Sequence, residues 1–168
     1  RQKNMTEKSK KMYESTKQML LERGVKLEDL AELVVDSQKK HSPNITFEIA
    51  MHNVDSVLKK REVQNAVMTG IAIDVLAEKK AFPEPLQGIL ERDEGLYGID
   101  EAIAVAIANC YGSIAISNFG YLDIKKPGII ADFNDKQKKP GEVHTFLDDL
   151  LCGIVAAACS RYAHNSAE

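Results

Sequence analysis

The chain has 168 residues, 44% of them hydrophobic and 28% charged, which suits a single globular domain and excludes a disordered chain. Acidic residues outnumber basic ones 25 to 22 for a net charge of −3. That balance argues against a dedicated nucleic-acid binder, whose footprint is a basic excess or stripe. Cys110, Cys152 and Cys159 are odd in number and form no C-x-x-C pair. They indicate neither a disulfide framework nor a zinc knuckle, and each reads as a small buried hydrophobe.

Residues 1–4 precede Met5 and are read as upstream of a single domain expected over 5–168. The segment Arg1 to Lys11 is charged and polar with no apolar h-region, so no signal peptide and a cytoplasmic location are expected. Apolar residues recur at helical spacing and no segment alternates convincingly with period two, which predicts an all-α fold. The first helix spans about Glu7 to Arg23 and stops at Gly24, a suitable left-handed cap. The second, about Leu27 to Lys40, carries Leu27, Leu30, Leu33 and Val34 on one side and is closed by Pro43. The third places Phe47, Ala50, Met51, Val54, Val57 and Leu58 on one face, capped by Asn44 or Thr46.

The fourth helix, about Glu62 to Lys79, turns Val63, Ala66, Val67, Gly70, Ile71 and Val75 inward. Pro83 and Pro85 then force a loop, and a short helical turn follows over Leu86 to Leu90. Ile103 to Ala108 has no polar face, which predicts an apolar central helix surrounded by about five others in a bundle. The segment Asn109-Cys110-Tyr111-Gly112-Ser113 offers a glycine stop and a serine N-cap, so the chain is expected to reverse there into two helices, roughly 99–110 and 114–122. A short helix with Ile129, Ile130 and Phe133 comes next. A charged, exposed linker over Asn134 to Gly141 leads to a last helix, about Thr145 to Ala163. A bilayer crossing needs about 20 consecutive apolar residues. Ala102 to Ile116 is interrupted by Asn109, Gly112 and Ser113, and Leu150 to Cys159 is too short, so both are expected to be buried helices.

Three acidic features stand at predicted helix ends: Asp100-Glu101, Asp123 and Asp148-Asp149. One reading is electrostatic, because a carboxylate in a helix's first turn gains ~0.3–1 kcal/mol from the macrodipole and Asp148 fits a capping box with Thr145. The other is a site. Each pair leads into very apolar helix, where half-buried carboxylates need a cation or hydrogen-bond donors. With a reversal at Gly112, a helix of about 17 Å out and a similar one back return Asp123 to the end where Asp100 starts; without it, Glu101 and Asp123 would lie about 33 Å apart. Oxygen ligands alone suit a hard cation such as Mg²⁺, completed by water and substrate phosphate.

Lys126, pinned by Pro127, is positioned either to bind phosphate as a point charge or to pair with Asp123. Gly128 reads as a turn residue. His144 stands just before the last helix and could line the acidic site, while His41 and His52 read as solvated or helix-end residues. Lys8, Lys10 and Lys11 read as a solvated helix end, with contact to an anionic bilayer surface as the alternative. No G-x-G-x-x-G, Walker or G-x-S-x-G sequence is present.

Together, Ile99-Asp100-Glu101-Ala102-Ile103, then Leu122-Asp123-Ile124-Lys125-Lys126-Pro127, then Phe146-Leu147-Asp148-Asp149-Leu150 followed by Gly153 resemble the phosphatidylglycerophosphatase A family. More closely, the chain is similar to that family's soluble branch, the YutG-like or low-temperature-requirement C proteins. The resemblance covers about residues 63–163. It implies a Mg²⁺-dependent phosphomonoester hydrolase of lipid metabolism that converts phosphatidylglycerophosphate to phosphatidylglycerol and phosphate. It further implies that Asp100, Glu101, Asp123, Asp148 and Asp149 form the metal and catalytic cluster and that Lys126 engages phosphate. On this expectation Glu101 or Asp149 is the general base and His144 assists Lys126 with the transferred group. The expected partner is a phosphorylated small molecule or a phospholipid head group met peripherally at the inner membrane surface, with no membrane span and no nucleic acid. Homo-oligomerisation stays open. The rival expectation is a catalytically inactive, cation-binding helical module serving low-temperature or stress adaptation.

Overall fold

The computed structural model describes residues 5–134 and 139–166. The upstream residues 1–4, part of the expected charged linker (135–138) and 167–168 lie outside them. Among the described residues the chain is all-helical. The elements are α1 (Glu7–Glu22), α2 (Leu27–Gln38), α3 (Phe47–Leu58), α4 (Arg61–Glu78), α5 (Leu86–Arg92), α6 (Ile99–Asn109), α7 (Ser113–Lys125), α8 (Ile129–Asn134) and α9 (Leu147–Asn165). Among the described residues, no helix is long and apolar enough to cross a membrane.

Helix boundaries follow local chemistry. The Thr6 hydroxyl accepts from the Ser9 amide at the start of α1, and Thr46 accepts from Ile49 at the start of α3, each satisfying an amide that has no partner within its helix. Gly24 adopts φ +83° beyond α1, where the Val25 amide returns to the Leu20 carbonyl, a left-handed C-terminal stop. The break between α6 and α7 is a turn at Gly112, whose φ of +89° favours glycine. Gly112 itself is the N-cap residue, and Ser113 is already the first residue of α7.

The central helix is α9, and this corrects the expectation drawn from Ile103–Ala108. Every residue of α9 from Leu147 to Ser160 is buried, and the helix packs against α2, α3, α4, α6, α7 and α8. Helix α6 lies on the outside, with Ala102, Ala106 and Asn109 exposed. An alanine-rich helix lacks a polar face without having to be enclosed, because exposing a methyl group costs little. Small residues in α9 let its neighbours approach. A Cβ on Gly153 would stand 2.8 Å from the Ala104 carbonyl oxygen of α6, so glycine there sets how closely the two helices pack.

Helix α9 starts without the expected Thr145–Asp148 capping box. The Thr145 hydroxyl donates to the Leu90 carbonyl, and Phe146 is the N-cap residue with no side-chain cap. Asp74 of α4 takes over, accepting from the Phe146 and Leu147 amides at 3.0 Å each. A buried tertiary carboxylate therefore does the work assigned to a local hydroxyl, and it holds the start of α9 against α4.

Candidate active site

The reversal at Gly112 brings the N-terminus of α6, the C-terminus of α7 and the N-terminus of α9 to one end of the bundle. Between them and the α5–α6 turn lies an open cleft of about 250 Å³. Asp100, Glu101, Asp123, Lys126, Asp148 and Asp149 all line it, together with Asp93, Glu94, Tyr97 and Asn134. Six of the seven expected site residues, five carboxylates and the lysine, thus face one volume.

Lys126 ends α7 in a left-handed conformation, φ +44°, which turns its side chain back over the cleft. Its Nζ lies 2.6 Å from Asp123 Oδ1, 2.8 Å from Asp148 Oδ2 and 3.2 Å from Asp149 Oδ1. Burial alone would lower the lysine pKa, but the Asp148 charge and the Asp123 and Asp148 hydrogen bonds raise it above the ordinary value, so Lys126 is firmly cationic. Both expected roles for this residue therefore start from one geometry, in which the ammonium is paired with carboxylates.

Among the described residues, Glu94, Asp100, Glu101, Asp123, Asp148 and Asp149 line the cleft together with the Lys126 ammonium. Burial first, and then the Asp148 charge, push the Asp149 carboxyl well above the usual carboxylate range despite Lys126. Asp148 is raised by burial against the pull of Lys126. Asp100 is raised by burial too, while its own and the Glu101 amides and a hydrogen bond from Asp149 draw it back. Asp148 Oδ1 is buried with no hydrogen-bond partner. A carboxylate oxygen left like this costs on the order of 1–3 kcal/mol, a cost that a further cation or donor would remove. Among the described residues, no three His, Cys, Asp or Glu side chains are gathered as a ready-made metal cage; Lys126 is the cation on which Asp123, Asp148 and Asp149 close.

His144 is not brought to the cleft. Its ring is buried, with Nδ1 3.0 Å from an Arg23 guanidinium nitrogen, Nε2 3.4 Å from Glu142, and its face against Phe133 at 5.1 Å between centroids. The same Arg23 nitrogen donates to Glu78 Oε1 and to the Val143 carbonyl, each at 2.7 Å, and the Val143 amide donates to Glu78. Burial pushes Glu78 up, but the Arg23 and Val143 hydrogen bonds bring it below its ordinary value. The strand of chain entering α9 is thereby clamped to α1 and α4, and this is where His144 belongs. Its nearness in sequence to Asp148 does not translate into a shared site, because the chain turns between them.

Sequence reasoning missed Asp74 and the Asp93–Gly98 turn. Asp74 could have been found, since it falls on the buried stripe of Val67, Gly70 and Ile71 at helical spacing, where a carboxylate needs partners. The turn carries no motif; it depends on Asp93 and Leu96 taking positive φ and on Tyr97 resting edge-on against Phe146, 5.9 Å between ring centroids.

The phosphatidylglycerophosphatase A family model matches residues 26–164, which includes every element of the cleft. The chain is 52% identical over 160 residues to the uncharacterized protein YutG of Bacillus subtilis, covering 95% of both chains. It is also 52% identical over 153 residues to the uncharacterized protein YpjQ of the same organism, covering 91% of this chain and 85% of that one. The crystal structure of the low temperature requirement C protein from Listeria monocytogenes is 50% identical and superposes with a TM-score of 0.90, covering 94% of this chain and 98% of that one. The clustered carboxylates, the fold and these likenesses agree: the chain belongs to the phosphatidylglycerophosphatase A family.

Proposed function

We propose that the protein is a Mg²⁺-dependent phosphomonoester hydrolase acting on phosphatidylglycerophosphate. The observation that carries this reading is the Asp148 Oδ1 atom, buried without a partner among the described residues in a cleft lined by Asp100, Glu101, Asp123 and Asp149. An all-oxygen donor set with excess negative charge fits a hard divalent cation. Asp100, Asp123, Asp148 and Asp149 would hold it, with Glu101 at the exposed rim.

A divalent cation bound there supplies charge neutralisation and polarisation of phosphoryl oxygens. Lys126 presents a point charge to the transferred group. Glu101 or Asp149 takes the proton of the attacking water at a carboxylate oxygen. Tyr97, which lines the same cleft, packs edge-on against Phe146 at the start of α9.

Phosphate release from phosphatidylglycerophosphate, measured with Mg²⁺ and with chelator, tests the reading. Activity is expected only with the cation, and Asp149→Asn is expected to lower it by about 10²–10⁴-fold; equal activity in variant and wild type rejects these roles. A second reading, a cation-binding module without turnover that serves low-temperature adaptation, is favoured by the closure of Lys126 onto three carboxylates. Its signature is a melting temperature raised by Mg²⁺ with no phosphate released from any phosphomonoester.

A further inference from the structure

The α6–α7 hairpin carries no Asp, Glu, Lys, Arg or His from Ala102 to Leu122, in a chain that is 28% charged. Part of that run faces water. On α7, Ser113, Ile116, Ser117, Tyr121 and Ile124 are exposed and Gly120 is half-buried. Spacings of three and four residues put all six on one stripe along the helix. Tyr121 stands at the edge of the stripe, where it also lines a groove against α2. On the neighbouring α6, Ala102 and Ala106 are exposed as well. None of these residues lines the acidic cleft. The hairpin thus turns an uncharged, largely apolar side to solvent, the kind of surface that marks an interaction site.

We infer that this stripe pairs with the same stripe of a second copy of the chain, α7 antiparallel to α7, about a two-fold axis between Ser117 and Gly120. Charge selects the occupant first. A two-fold interface sets a patch against itself, so charges of one sign would repel, and the stripe has none. Size selects the direction. About that axis Ser113 of one copy comes opposite Ile124 of the other, and Ser117 opposite Gly120. Large meets small at both ends, and small residues meet at the centre, where a Cβ on Gly120 would touch nothing in its own chain. Parallel pairing would stack Tyr121 on Tyr121 and Ile124 on Ile124 and leave a gap at Ser113. The charges of α7, Asp123 and Lys125, stand at its C-terminal end. Antiparallel pairing holds each roughly 15–20 Å from its copy, beyond the ~8 Å Debye length, whereas parallel pairing would oppose them. The outward side of two adjacent helices about 20 Å long and about 10 Å wide projects about 400 Å² per copy. Two copies and the relief of their side chains bring this to the ~1,000 Å² at the lower end of specific interfaces, so the dimer forms reversibly. Both clefts stay open, at opposite ends of the pair.

The test is the solution mass of the full chain by sedimentation over roughly 1 µM to 1 mM. Wild-type protein is expected to rise from one chain to two across that range and no further, because a two-fold pairing is closed. Ser117→Glu sets two carboxylates beside the axis and is expected to weaken the dimer about ten-fold or more, while Ser117→Ala leaves it intact. Ser117 is exposed, so dilute Ser117→Glu is expected to melt like dilute wild type. Direction is read by cross-linking in a Cys110→Ser background, in which the remaining cysteines, Cys152 and Cys159, are buried. Ser113→Cys chains mixed with Ile124→Cys chains are expected to form disulfide-linked dimers under mild oxidant, and neither alone to do so. A wild-type chain that stays monomeric throughout, or a dimer that Ser117→Glu leaves unchanged, would overturn the inference. So would Ser113→Cys chains that cross-link to themselves as readily as to Ile124→Cys chains. None of these readouts depends on catalysis.

Discussion

Two clusters of buried polar side chains flank the start of α9, and they are finished differently. Around Asp74, carboxylates meet backbone amides: Asp74 takes those of Phe146 and Leu147, Glu78 takes that of Val143, and Arg23 spans Glu78, Val143 and His144, with only its Nε left unpaired. Around Asp148, carboxylates face other carboxylates across an open cleft, with one lysine among them and one buried oxygen without a partner. Burial disfavours a charge in both places. The first cluster answers most of that cost with hydrogen bonds to backbone amides within the fold, which marks it as structural, whereas in the second, among the described residues, the carboxylates meet chiefly one another and Lys126.

Breaking the structural cluster should have the largest effect on stability. Asp74→Ala strands two buried amides at the entry to α9 and should destabilise the fold by about 2–4 kcal/mol in urea unfolding, with no recovery when Mg²⁺ is added. Lys126→Ala removes the cation from the other cluster. It should cost about 1–3 kcal/mol in chelator, less than an enclosed ion pair because the cleft is open to water, and here Mg²⁺ should restore a large part. An equal response of the two variants to Mg²⁺ would remove the distinction between the clusters.

Gly153→Ala addresses the scaffold that carries both. The added methyl must push α6 from α9 at the Ala104 carbonyl, and a loss of about 1–3 kcal/mol is expected from overpacking, read as a lowered denaturation midpoint. The last expectation concerns pH. Burial pushes Asp74 up to about 8, and Asp100, Asp148 and Asp149 are raised as well, while in the unfolded chain all titrate near 4. Between those values the folded protein holds protons that the unfolded chain has released, so stability must fall as pH rises from about 4 through 8. In chelator, melting temperatures should decline across that range. Mg²⁺ should flatten the share due to the cleft and leave the share due to Asp74, which Asp74→Asn should remove.

The helices were legible because each carries its own punctuation: Gly24, Thr46, the prolines after α4 and, above all, Gly112. The convergence of Asp100, Asp123 and Asp148 followed from that one turn and the rise of a helix, and the shared cleft bears out the geometry. Three readings went astray for a common reason. Ser113 and Thr145 looked like caps, and His144 looked like a neighbour of Asp148, because adjacency in sequence stood in for adjacency in space.

The sequence by itself determined where helices begin, where they reverse and which end of the bundle gathers the acidic groups, since spacing and turn chemistry act over a few residues. Tertiary structure alone decided which helix lies at the centre, that Asp74 caps it from 72 residues away, and that Lys126 closes on three carboxylates while one oxygen of Asp148 stays unpaired. Those outcomes depend on which surfaces exclude water from one another, and burial is a property of the packed molecule that no local pattern encodes.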